Sequence, residues 1–151
     1  MRLNAEKLRT STLLRKLFKS PNLVTFIEKN ANAIQMPQFH EYISDLCQAM
    51  ERIPEHVIKQ SSIDRTYGHQ LFNGTRKPSR DKVIQLAFGF GLDVDGTQML
   101  LKMAQKNPLY PRIKRDAAVL YCINHRTDIV QAQGMLYDLG LTLLGGDEKN
   151  R

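Results

Sequence analysis

Cys122 and His125 stand three positions apart, so on a helix they would share one face and offer two metal ligands. A zinc site wants four ligands, and no matching pair lies nearby, so the two read as structural. His40, His56 and His69 are scattered, with no carboxylate or nucleophile pattern around them. Gly89-Phe90-Gly91 follows an apolar helical stretch and lacks the Lys-Ser/Thr of a phosphate loop. No catalytic triad or pair of acids stands out. The expectation is therefore a protein that binds rather than an enzyme, with no cofactor and no metal. Its 22 Lys and Arg face 15 Asp and Glu, a net charge of +7. That surplus suits a polyanion, because cations that neutralise phosphates release condensed counterions.

The chain of 151 residues is long enough for one compact domain, or for a small domain with helical extensions. Cys47 and Cys122 have no secretory signal before them, since Met1 to Ser20 has no apolar core of signal length. Reduced thiols and a cytoplasmic location are expected. No apolar run is long enough for a membrane span.

The elements that would position any site are all helical, with no β-alternating segment and no internal repeat. Residues 1–36 read as a basic N-terminal extension. Leu13, Leu14, Leu17 and Phe18 give an amphipathic helix packing on the core, with Asn4 as its cap. Ser20-Pro21 reads as a second helix start, bearing Leu23, Val24, Phe26 and Ile27. Asn30-Ala31-Asn32 ends it, and a linker leads to Pro37. Residues 37–106 form the regular part. Phe39, Ile43, Leu46, Cys47 and Met50 mark one helix face, and Pro54 opens a short helix with Val57 and Ile58. Asp64 caps a third helix, which stops at Asn73-Gly74. Pro78-Ser79 starts a fourth, with Val83, Leu86, Ala87 and Phe90 inward, and Asp93 caps a fifth carrying Met99, Leu100 and Met103. Residues 107–151 open with an extended connector, Asn107 to Pro111. Two helices follow, one with Ala117, Leu120 and Tyr121 inward, the other capped by Asp128 with Ile129, Ala132, Leu136 and Leu139 inward.

A short helix, a tight turn and a second helix between Ile53 and Asn73 constitute a helix-turn-helix pattern. Ile53, Val57, Ile58, Ile63 and Leu71 supply the apolar residues that fix its angle. The segment resembles the Xre/lambda-repressor family, whose pattern is a short helix ending in Ser-Gly, an aliphatic residue, a polar helix, Gly-x-Arg-x-Pro-Ser, then Leu-x-x-Leu-Ala. This chain reads Ser61-Ser62-Ile63, Asp64-Arg65-Thr66-Tyr67, Gly74-Thr75-Arg76-Lys77-Pro78-Ser79 and Val83-Ile84-Gln85-Leu86-Ala87, in one register without a gap. Leu71-Phe72-Asn73-Gly74 resembles the end of the recognition helix in lambda-type repressors. From Leu109-Tyr110-Pro111 onward the chain looks like bacterial Xre-like regulators with a helical tail.

The resemblance implies an all-α protein: a five-helix lambda-repressor-like helix-turn-helix core with helical N- and C-terminal extensions. It further implies sequence-specific binding of double-stranded DNA by a bacterial or phage transcriptional regulator. Arg65, Thr66, His69 and Gln70 match the positions that face bases, where Arg can pair with guanine O6/N7 and Gln with adenine. Asn73, Arg76, Lys77 and Arg80 match those that grip phosphates. Tyr67 fits either the core or the groove.

Four positions depart from the family pattern. Glu55 replaces a common Gln and would repel phosphate. Ile58 replaces a small Ala, which would set the two helices further apart. Ser62 replaces the turn Gly. Gly68 replaces a β-branched residue and weakens its helix by roughly 1 kcal/mol against Ala. Family members usually bind as dimers, and the apolar residues for a homodimer lie in the terminal helices: Met135, Leu136, Tyr137, Leu139, Leu141, Leu143 and Leu144. The second functional reading is the same fold used as a protein-protein interaction module, its basic face docking an acidic partner.

Overall fold

A computed structural model describes residues 10–146, so the cap assigned to Asn4 lies outside the described residues. Among these residues there are ten helices and no strand. They are α1 (Thr10–Lys19), α2 (Leu23–Lys29), α3 (Ala31–Ile34), α4 (Phe39–Ala49), α5 (Pro54–Gln60), α6 (Arg65–Asn73), α7 (Arg80–Phe90), α8 (Val94–Met103), α9 (Lys114–Asn124) and α10 (Ile129–Asp138).

The N-terminal part differs most from its expectation. No residue of α1 is buried, and Phe18 stays 77% exposed, so this helix adds nothing to the core. α2 begins after Asn22, whose side chain accepts from the Thr25 amide at 3.0 Å; Ser20-Pro21 is not its start. The expected linker contains the short helix α3.

α7 is the centre of the molecule. Val83, Ile84, Leu86, Ala87 and Phe90 are almost wholly buried, and α5, α8 and α10 pack around the helix. Its ends are tied as its dipole favours. Asp81 lies in the first turn, while Arg52 donates to the carbonyls of Phe90 and Gly89 at the other end, at 3.0 and 2.9 Å. Gly89 lets α5 approach: a Cβ there would lie 2.5 Å from the Val57 carbonyl oxygen.

Ile58 and Gly68 explain each other. A Cβ on buried Gly68 would overlap the Ile58 side chain, so the bulk of one fills the space left by the other. Ile58 therefore needs no wider gap between α5 and α6.

The last two helices and the segments flanking them share this core through Leu109, Val119, Ile123, Ile129, Leu136 and Leu144. Val119, Cys122 and Ile123 form the inward face of α9, whereas Tyr121 is exposed and stacks on His125 at 3.9 Å. On α8 the buried pair is Leu100 and Leu101, with Met99 outside. Leu139 likewise faces outward from α10.

Two Arg-Asp dipeptides, each opening a helix, are crossed. Arg80 of α7 grips Asp116 of α9 at 3.1 and 2.8 Å, and Arg115 of α9 grips Asp81 of α7 at 2.9 and 2.8 Å. Both carboxylates are buried, and each accepts a backbone amide as well, Asp116 from Tyr110 and Asp81 from Gly145. Such fork-to-fork pairs satisfy the lone pairs that burial would otherwise leave bare. Among the described residues no buried side-chain polar atom lacks a partner.

Candidate nucleic-acid interface

The turn between α5 and α6 is held from below. Ser61 is fully buried; its hydroxyl donates to the Val57 carbonyl at 2.6 Å, and its own carbonyl accepts from Gln85 of α7 at 3.2 Å. Ser62 has φ +55°, the left-handed conformation that a Gly would adopt without cost. Ile63 then inserts into the core, and Asp64 caps α6 by accepting from the Tyr67 amide at 3.1 Å.

α6 is two-faced. Gly68, Leu71 and Phe72 are buried. Arg65, Thr66 and Asn73 are exposed, with His69 and Gln70 half-buried beside them. These five fall at spacings of one, three and four, which places them along one side of the helix. Gly74 ends α6 at φ +83°, and its missing side chain leaves room for the His40 ring.

Beyond it, Asn73 accepts from the amide and hydroxyl of Thr75, shaping the loop. Arg76 lies over the Tyr67 ring at 4.6 Å and donates to the Gln70 side chain at 3.0 Å. Tyr67 thus packs partly against the core and lies under a loop cation. Lys77 is exposed on the same loop, and the Lys82 ammonium lies 5.3 Å from the Tyr67 ring centre.

Arg80 does not belong with these cations. Besides Asp116, it donates to the carbonyls of Asn107 and Pro108, both at 3.0 Å, so its guanidinium is committed within the chain. It was expected to grip phosphate with Asn73, Arg76 and Lys77, and its bonds to Asp116, Asn107 and Pro108 set it apart from them.

Glu55, a repulsive charge by the sequence reading, reaches from α5 to two residues of this face. Its carboxylate accepts from Arg65 Nε at 2.6 Å and pairs with His69 Nε2. The hydrogen bond from Arg65, followed by that from His69, holds its carboxyl below the ordinary range, so it is ionised at neutral pH. The separations in sequence, from α5 across the turn to α6, follow no helical spacing, and so nothing local announced the cluster.

The other chemistry considered from the sequence is dispersed. Cys47 and Cys122 are free and buried, and burial pushes the Cys47 thiol up to about 11. Among the described residues no group of three or more His, Cys, Asp or Glu could hold a metal, and no helix is long and apolar enough to cross a membrane. No family model, no curated protein and no solved structure matches this chain.

Proposed function

We propose that the chain binds double-stranded DNA sequence-specifically as a transcriptional regulator. In this reading α4 to α8 are a five-helix, lambda-repressor-like core, and α6 enters the major groove. One observation carries the proposal: a short helix anchored by Leu71 and Phe72 turns a continuous polar side outward, and that side ends at Asn73 and runs into a loop presenting Arg76 and Lys77. Arg65, Thr66, His69 and Gln70 are the base-facing set. Asn73, Arg76 and Lys77 grip phosphates and set register. A dimer would use the outward side of α10, where Val130, Tyr137 and Leu139 are exposed.

The test is titration of a random duplex at rising salt. A DNA binder loses affinity steeply and linearly in log-log form, and Lys77→Ala lowers the slope by about one. Absence of duplex binding at low salt refutes the proposal. It would favour a protein-interaction module instead, a reading supported by exposed Leu14, Phe18, Leu23 and Val24 at the N-terminal end.

A further inference from the structure

We infer that Glu55 is a specificity-determining positioning residue, which holds Arg65 for guanine while penalising contact with every other sequence. The inference rests on the DNA-binding reading above and goes beyond it by assigning α5 a part in base choice.

The argument starts from an apparent defect. A carboxylate on a face that meets phosphates repels them. Glu55 remains 45% exposed on its side chain, so burial does not remove that repulsion. What the carboxylate gains is two partners from α6. It takes the Nε hydrogen of Arg65, the one donor of the guanidinium that is not on its terminal fork. The two Nη groups stay outside that bond, on a side chain that is 77% exposed. They are the pair needed for an end-on bidentate contact with guanine O6 and N7. Arg65 would otherwise sample many rotamers, and fixing one reduces the entropy lost on docking.

His69, one turn further along α6, completes the clamp from the other carboxylate oxygen. The carboxylate thus joins the first turn of α6 to the first turn of α5. A docked Arg65 satisfied by guanine offsets the repulsion from Glu55. A docked Arg65 facing another base leaves that repulsion uncompensated. Specificity is the difference between those two cases, and a repulsive group enlarges it.

The prediction is that affinity and discrimination move in opposite directions. Selection from a randomised duplex pool with the full chain should enrich a guanine at one position of each half-site, and Arg65→Ala should abolish that enrichment. Glu55→Ala should bind random duplex as tightly as the parent or a few-fold tighter, yet lose guanine preference by about tenfold at that position. Glu55→Asp, which keeps the charge on a side chain one methylene shorter, should lose part of the preference without tighter random binding. Circular dichroism and melting of each variant control for folding.

The inference is overturned if Glu55→Ala keeps the parent's guanine enrichment, or if it weakens all duplexes equally, as a merely structural residue would. A parent chain that binds no duplex overturns the DNA-binding reading itself. A parent that binds and selects, with Glu55→Ala indistinguishable from it, overturns this inference alone.

Discussion

Two Arg-carboxylate clusters of the same chemistry sit in opposite surroundings. At the start of α7 and α9, Asp81 and Asp116 are each all but buried, gripped by both ends of a guanidinium and topped by a backbone amide. At the start of α5 and α6, partly exposed Glu55 meets one nitrogen of Arg65 and the His69 ring. Breaking a buried pair leaves a charge that water cannot reach, whereas an exposed pair trades one solvated state for another. The first arrangement can therefore hold the C-terminal helices to the core. The second contributes little to stability, and the fork of its arginine stays outside the pair.

The largest effect should follow from breaking the buried side. Arg115→Ala removes both guanidinium hydrogen bonds from buried Asp81, and a loss of about 3–5 kcal/mol is expected in denaturant unfolding. Arg80→Ala should behave alike through Asp116. A loss under 1 kcal/mol for either would remove the distinction between the two clusters.

Next comes the joint that carries the exposed side. Gly68→Ala should destabilise by about 1–3 kcal/mol through overlap with Ile58, more than the roughly 1 kcal/mol of helix propensity it gains. Combined with Ile58→Ala, its cost should fall well below the sum of the single changes, a coupling that a double-mutant cycle reads directly.

A smaller change of opposite sign is expected in the turn. Ser62→Gly should raise stability by up to about 1 kcal/mol, because the position already has positive φ. The smallest effect belongs to the exposed cluster: Glu55→Ala should leave the thermal midpoint unchanged within error. A drop comparable to that of Arg115→Ala would make Glu55 a structural residue.

Much of this arrangement was legible in residue order. The caps at Asp64, Asp93 and Asp128, the stop at Gly74 and the inward face of α7 follow from local rules of helix ends and periodicity. Helices whose pattern was diluted by apolar residues on several sides were oriented less well. α9 offers Val119, Leu120, Tyr121, Cys122 and Ile123 in succession, and only packing selects among them. The amphipathic pattern of α1 was real, yet periodicity does not say whether a helix finds a core to cover.

The site divides along the same line. The outward set on α6 could be read from one register. The fate of Arg80 could not, because Asp116 lies far along the chain. The repeated Arg-Asp at two helix starts was the one available sign. Glu55 was visible as an anomaly, but its partners are set by the angle between two helices rather than by spacing along either.

The most direct test concerns α6 in the groove. A duplex enriched by the full chain should be resynthesised with 7-deazaguanine at the selected position, which deletes only the major-groove N7. Affinity of the parent should fall by about tenfold, while Arg65→Ala should bind both duplexes alike. Equal binding of the parent to the two duplexes would contradict major-groove reading by Arg65.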